Sequence, residues 1–571
     1  MGRIASELAD RTVLTSDNPR TEDPAAILDE VAAAVPPDDG TVHRRLDRRE
    51  AIRFAVAEAH GGTVLIAGKG HERYEEIQRR RYHWDDADEA RIALATRRYG
   101  MRTPLRLAGW SARHLAQLLG GVWSSGAARP LFRGLSTDTR SLQPGDLFVA
   151  LQGERFDAHT LVGAAMAAGA SAAIVERYVE GVAIPQLRVE STHQALGALA
   201  RALIDEASRG RAGLQLIAIT GSNGKTTTRS FAEAFALLRD GRAPLATHGN
   251  FNNQIGLPLS VSALSTDHTR TILEMGANVP GDIAELVEMA PPQVAVLTSI
   301  GASHLAGFGS LDGVRAAKVE MLQGPKPLAV VMPIEERSEL WGRVADAREI
   351  PVYTFGDHPD ATLRATRDTV DGPVRLEGRG AWAGFQASVA LPVPGRHNAG
   401  NLAAALLAVS VEQGALVPPP SPALLARFPE VLIPPAGRME RYDRAGRQVV
   451  YDAYNANPSS TRAALAMLGE LPGPRVAVLG ELFELGDEEA AAHADILREA
   501  AAICTQVVAV GPRWVQAGAE NTRLFLDREA AAAYIIEISA PGTSLLWKGS
   551  RGARLEEIRD VVEAQWRKEA T

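Results

Sequence analysis

Residues 216–228 read L-I-A-I-T-G-S-N-G-K-T-T-T, and this run constrains the chain more than any other stretch. Four apolar residues lead into Thr220, the pattern breaks at Gly221 and Gly224, and a helical apolar pattern follows over 225–239. The run predicts a buried strand, a loop and a helix, an arrangement in which backbone N–H groups converge on phosphate oxygens. Gly221, Ser222, Asn223 and Gly224 would form the loop. Lys225 adds a point charge, and Thr226 and Thr227 open the helix with the Thr226 hydroxyl placed to hold Mg²⁺. The longer form of such loops carries glycine where this chain has Ile219, so a shorter variant is expected. A strand of this kind belongs in a parallel sheet with helices on its faces.

Further polar residues recur where strands are expected to end. Residues 248–258 form a loop too rich in amides for a core, and Asn253 within it suits a phosphate or an incoming substrate. Glu274 closes a predicted strand over 271–275, beside the loop, as a Mg²⁺ ligand or as a salt-bridge partner. His304 follows a strand over 294–299 and is a second candidate ligand or a structural histidine. Lys318 lies on a predicted helix over 311–321, where a solvated lysine is the ordinary expectation. Asn398 and Asn401 open an Ala/Leu-rich helix; their amides match the edge of adenine, and Asn398 has equally the chemistry of a helix cap.

Prolines between 418 and 435 punctuate a passage suited to a hinge. Beyond it, Arg438 could reach ATP phosphates, and Asp452, ending a strand over 448–451, the ribose or the hinge. Strands over 475–479, 507–510 and 544–547 alternate with helices, which predicts a small, mostly parallel sheet. Earlier in the chain, Ser136, Thr137 and Arg140 precede a Pro-Gly turn and a buried strand. That set could hold a diphosphate or uracil, or be a capped turn.

The first hundred residues predict a separate small α/β unit, with helices over 3–8, 25–34 and 49–59 and strands over 12–15 and 63–67. Loops 16–24 and 68–72 would share one rim, with Arg20 suited to a carboxylate and Asp17 or Glu72 to an ammonium. Residues 63–77 and 544–558 also read alike: an apolar strand, a Lys-Gly turn and a charged helix. The chain therefore reads as carrying two copies of one fold.

A balance of 61 basic against 69 acidic residues, −8 overall, argues against a general nucleic-acid binder. The one cysteine, Cys504, excludes an internal disulfide. No apolar run has the roughly 20 residues of a membrane span, and a cytoplasmic protein is expected.

In their order, the phosphate loop, Glu274, His304, Lys318, Asn398, Asn401, Arg438 and Asp452 resemble the Mur ligase family over residues 101–571. The resemblance implies a UDP-sugar-binding domain over 101–212, a central ATP domain over 213–436 with a P-loop ATPase-like parallel sheet, and a Rossmann-like ligase domain over 437–571. It places ATP at Gly221 to Thr227, Asn398, Asn401, Arg438 and Asp452, and Mg²⁺ at Thr226, Glu274 and His304. The UDP-linked substrate falls at Ser136, Thr137, Arg140 and Asn253. Catalysis is assigned to Lys225, His304, Lys318 and Arg438, with Lys318 carbamylated. The implied reaction joins D-alanyl-D-alanine to UDP-N-acetylmuramoyl-tripeptide through an acyl phosphate; another muramyl ligase or a folylpolyglutamate-type synthetase is the alternative.

Residues 1–100 resemble the last domain of the family members that add meso-diaminopimelate, with Asn18, Arg20, Gly68 and Glu72 at the amino acid. No second phosphate loop accompanies this domain, so it is expected to lack that activity alone. It would be the remnant of a two-ligase fusion that began upstream of Met1, or a docking element for another cell-wall ligase.

Overall fold

The computed structural model describes the chain except residues 1, 18–21, 34, 36–40, 47, 60–61, 69–73, 78–79, 84–85, 87–89, 91–109, 125–131, 133, 141, 154–155, 210–213, 248, 265–267, 515–519 and 570–571. Two compact units make up the chain: residues 1–102 with 241–243, and residues 103–240 with 244–571.

The larger unit contains three main sheets. In the nine-stranded central sheet, the Gln215–Thr220 strand lies between Arg270–Glu274 and Val294–Leu297, and the order continues outward through Ala329–Pro333, Val352–Gly356 and Leu363–Thr366. These strands are parallel; Val374–Gly378 is reversed, so its ladders to Leu363–Thr366 and to the edge strand Gln386–Val389 are antiparallel. The inner strands are buried on both faces, as a parallel sheet covered by helices requires, so they read as unbroken apolar runs. On one face the Lys225–Asp240 helix packs against Asn398–Val409. Phe231 is fully buried, and Phe235 stacks on Phe428 at 4.4 Å between centroids. Each such phenylalanine contributes about 2 kcal/mol through burial.

Register sets the position of the site. Ile219 pairs with Glu274 and Thr220 with Leu297, so Glu274 and the loop after Thr220 leave the sheet at one edge. That carboxyl edge is where open α/β sheets collect ligands.

A five-stranded sheet precedes the central one, with Leu135–Ser136 at one edge and an antiparallel pair, Val122–Trp123 with Gln186–Arg188, at the other. The six-stranded sheet that follows begins with an antiparallel hairpin, Glu440–Arg444 and Arg447–Asp452, and is parallel thereafter. Ser544–Lys548 runs through its interior between Arg447–Asp452 and Arg475–Gly480, and Trp547 and Trp566 are fully buried around it.

The smaller unit has a parallel pair, Thr12–Leu14 with Val42–Arg44, beside the helices Pro24–Ala33 and Arg48–Glu58. Two expectations fail here. Residues 63–67 join no ladder, and Leu65 is 88% exposed where Leu546 of the last domain is 0% exposed. A fully buried strand needs ladders on both sides, and the described residues of this unit supply none to residues 63–67. The expected helix after the Lys-Gly turn is instead a hairpin, Tyr74–Ile77 with Arg80–His83. Its counterpart Leu555–Glu569 is helical because Leu555, Ile558, Val562 and Trp566 bury one stripe against the six-stranded sheet. The predicted convergence of the two loops does occur. Arg48, buried and paired to Asp86, donates to Ser16 O at 3.2 Å and to Ala67 O at 3.1 Å, and Gly68 lies against Asp17. Asn18, Arg20 and Glu72 lie outside the described residues.

Candidate active site

The phosphate loop forms as its glycines predict. Gly221 has φ 146° and Gly224 φ 84°, and a Cβ at Gly224 would sit 2.4 Å from Asn401 Oδ1. Glycine at 224 therefore supplies both the left-handed backbone and the close approach of Asn401. The loop is held from the neighbouring strand: Ser222 N donates to Ser299 O at 2.9 Å and Asn223 N to Ser299 Oγ at 3.0 Å. The first N–H groups of the Lys225–Asp240 helix have no intrahelical acceptor and carry the positive end of its dipole.

Around this loop lies a cleft of about 630 Å³ lined by residues of the central sheet and of the six-stranded sheet. Lys225 Nζ donates to Gly221 O at 2.5 Å. Desolvation pushes its amine down to about 8 against the opposing pull of Glu274, and nearby Arg438 adds to the depression. Thr226 Oγ1 donates to Glu274 Oε2 at 3.1 Å, while Glu274 Oε1 accepts from Arg229 Nε at 2.8 Å. Thr226 and Glu274 thus present two oxygens at the helix start, a donor pair suited to a Mg²⁺ that keeps most of its waters.

His304 departs from that set. It occupies the left-handed region at φ 52°, and its Nδ1 lies 2.5 Å from Glu484 Oε2 of the last domain. Among the described residues no three His, Cys, Asp or Glu side chains group as a metal site. Lys318 is 2% exposed rather than solvated, in the last turn of Leu311–Val319. Its Nζ stands 5.9 Å from the Phe308 ring centroid, and desolvation, helped by Lys225, pushes it down to about 7.

Asn398 and Asn401 are both buried in the cleft wall. Asn398 Nδ2 donates to Pro394 O at 2.6 Å, Asn401 Nδ2 to Asn398 Oδ1 at 2.8 Å, and Thr228 Oγ1 to Asn401 Oδ1 at 3.3 Å. The two asparagines thus brace the phosphate-loop helix. Capping is not their role, since His397 holds the N-cap position and no side chain caps the helix.

Strand register pairs Asp452 with Lys548, so carboxylate and ammonium emerge side by side: Lys548 Nζ lies 2.8 Å from Asp452 Oδ2 and both are buried. Asp452 Oδ1 accepts from Met439 N at 3.2 Å, where Met439 has φ 55°. Its carboxylate therefore fixes the turn at Met439, next to Arg438, which also lines the cleft. Arg438 stacks on Tyr454 at 4.3 Å, and Arg551 on the same ring at 5.4 Å. Asn457, cap of Pro458–Gly469, donates from Nδ2 to Asn223 Oδ1 at 2.8 Å. Lys548, Tyr454, Asn457 and Arg551 escaped the sequence reading, although each follows a predicted strand end.

The residues assigned to UDP divide between this cleft and the end of the Leu135–Ser136 strand. Asn253 lines the cleft, and its Oδ1 accepts from Gly256 N at 2.8 Å. Ser136, Thr137 and Arg140 are not among its lining residues. Ser136 Oγ donates to Asp138 O at 2.9 Å, and Arg140 is paired with Asp138, whose carboxyl it holds below the usual range.

Three family descriptions match the chain: the Mur ligase middle domain over 219–409, the Mur ligase family catalytic domain over 131–203, and the Mur ligase glutamate ligase domain over both 1–70 and 437–551. The last confirms two copies of one domain; it specifies the domain and no amino-acid specificity. A UDP-N-acetylmuramoyl-tripeptide–D-alanyl-D-alanine ligase from Escherichia coli is 36% identical over 74% of this chain and 92% of its own length. Its Bacillus subtilis namesake is 32% identical over 80% and 98%. A crystal structure of MurF from Acinetobacter baumannii superposes with a TM-score of 0.72 at 30% identity, covering 81% of this chain and all of that one. MurF from Thermotoga maritima in complex with ADP gives 0.66 at 27% identity, over 76% and 98%.

Proposed function

The chain belongs to the Mur ligase family, and from that premise we propose that it is an ATP-dependent ligase joining D-alanyl-D-alanine to the terminal carboxylate of UDP-N-acetylmuramoyl-tripeptide. The observation that carries this reading is one cleft in which the phosphate loop faces the cations of the last domain. An amine cannot displace oxide from an ionised carboxylate; phosphorylation supplies a leaving group. The carboxylate oxygen attacks the γ-phosphorus, the bond to the β-phosphate oxygen breaks, and ADP departs. The dipeptide amine then attacks the acyl carbon, the C–O bond to phosphate breaks, and the nitrogen loses a proton to give the amide.

Loop N–H groups, Lys225 and Arg438 stabilise charge on the transferring phosphoryl group. Asn398 and Asn401 each keep one amide hydrogen for adenine, and Asp452 acts through the turn at Met439. Thr226 and Glu274 would hold Mg²⁺, which when bound neutralises phosphate charge. Asn253 faces the reacting end of the UDP-linked substrate, and Ser136, Thr137 and Arg140 are assigned to its uridine diphosphate, with Arg140 exchanging Asp138 for phosphate. The last domain covers the acyl phosphate against water.

For Lys318 we assign a carbamate. Its amine is neutral in good part near pH 8, and Nζ attack on CO₂ forms an N–C bond with release of one proton. The side chain beside Lys225 becomes an anion, which replaces the repulsion between two lysines with attraction.

The test is ADP release by the purified chain with each substrate omitted in turn. Release is expected only when UDP-N-acetylmuramoyl-tripeptide and D-alanyl-D-alanine are both present. Release driven instead by a single amino acid would overturn the assignment in favour of another ligase of this superfamily.

A further inference from the structure

Four lysines and arginines line the cleft: Lys225, Arg438, Lys548 and Arg551. Three have an evident task. Lys225 belongs to the phosphate loop, Arg438 is near enough to act on the same phosphates, and Lys548 is held by Asp452 and by Asn455 O at 2.7 Å. Arg551 has none of these. Among the described residues no carboxylate lies within ion-pair distance of it, and its guanidinium rests on the Tyr454 ring that also carries Arg438.

The backbone beneath Arg551 is pinned while its side chain is exposed. Ser550 N donates to Glu481 O at 3.1 Å, and Ser550 Oγ accepts from Phe483 N at 3.3 Å and donates to Ala456 O at 3.3 Å. A free guanidinium on a rigid loop, stacked on an aromatic face, is prepared to fork onto a carboxylate. The reaction brings three anionic groups to the cleft: the triphosphate, the carboxylate to be activated and the carboxylate at the far end of the incoming dipeptide. The first two meet at the phosphate loop, beside Lys225 and Arg438. The third must lie one dipeptide away from the acyl carbon, and two extended residues span roughly 7 Å. Arg438 and Arg551 lie 4.3 Å and 5.4 Å from the centroid of one tyrosine ring, so a carboxylate held by Arg551 falls in the neighbourhood of the phosphates that Arg438 faces.

We infer that Arg551 binds the C-terminal carboxylate of D-alanyl-D-alanine, with Tyr454 as the platform that holds its guanidinium apart from Arg438. This deepens the proposed function and rests on it.

The experiment measures ADP release by wild type, Arg551→Gln and Arg551→Lys with D-alanyl-D-alanine and with its C-terminal carboxamide. Wild type is expected to prefer the free carboxylate. Arg551→Gln should raise KM for D-alanyl-D-alanine on the order of 10- to 100-fold and abolish that preference, while KM for ATP stays within about twofold. Arg551→Lys should recover part of the loss. An active wild type whose Arg551→Gln variant keeps the preference, or whose KM rises for ATP instead, overturns this assignment alone. A wild type with no dipeptide-dependent ADP release overturns the proposed function and this assignment together.

Discussion

Asn457 Nδ2 donates a 2.8 Å hydrogen bond to Asn223 Oδ1, joining the last domain to the phosphate loop across 234 residues of sequence. The same side chain accepts from Ser460 N at 2.9 Å and so caps its own helix. One amide therefore records both that the helix has formed and that the domain is seated on the loop.

Asn457→Asp separates these tasks. Aspartate keeps the capping oxygen, so thermal stability should change little, but it turns an anion toward the triphosphate. KM for ATP should rise about tenfold. Asn457→Ala should in addition lose about 1 kcal/mol of stability with the cap. Steady-state kinetics and thermal melts on both variants decide it, and an unchanged KM for ATP in Asn457→Asp would show that the bond does not act on the nucleotide.

Lys225→Ala removes the cation whose Nζ reaches the loop carbonyl in this state. ADP release dependent on both substrates should fall by about 10²–10³. Wild-type ATP consumption in the variant would sink the phosphoryl-transfer reading.

Lys318 gives a pH and bicarbonate dependence. Burial and Lys225 push the amine down to about 7, so its neutral, CO₂-reactive form grows as pH rises through that value. Activity in enzyme freed of CO₂ should be restored by bicarbonate and, at equal dissolved CO₂, should recover faster at pH 8 than at pH 6. Lys318→Ala should be inactive and insensitive to bicarbonate. An intact-mass spectrum of active enzyme, taken with bicarbonate present and lacking the added carboxyl group, counts against the carbamate.

The Asp452–Lys548 pair is 12% and 2% exposed at its side chains. Asp452→Asn leaves an acceptor for Met439 N but strands the ammonium of Lys548, and should cost about 3 kcal/mol. Asp452→Asn combined with Lys548→Met should regain most of the stability while leaving the turn at Met439 without its carboxylate. Melting temperatures of the three proteins report this; a double variant no more stable than Asp452→Asn would place the cost elsewhere than in the unpaired charge.

Signals that act over a few residues were legible in the chain. The unbroken apolar run into Gly221 and Gly224 specified a buried parallel strand and a phosphate loop, because both faces of such a strand are covered and only glycine adopts those φ values freely. Glu274 could be assigned to the same edge since it closes the next apolar strand, and register places it opposite Ile219. The copy of the last domain at the N-terminus was visible as a repeated strand and turn, and a domain match over 1–70 agrees. Its local structure was not. Residues 63–67 have the composition of a central strand, yet the described part of their unit offers no ladder for them.

Which polar group meets which was decided only by tertiary structure. Asp452 has the same local pattern whether it faces a ribose or a lysine; the parallel register with Ser544–Lys548 put Lys548 beside it. His304 was assigned by its place after a strand, but the seating of the last domain set Glu484 against its ring. Tyr454 gained two arginines, Arg438 and Arg551, from turns more than a hundred residues apart in the chain. Periodicity and turn chemistry are local properties of the backbone and are written in neighbouring residues. The partner of a charged side chain depends on which strand ends the sheet order brings together, and no stretch of sequence contains that order.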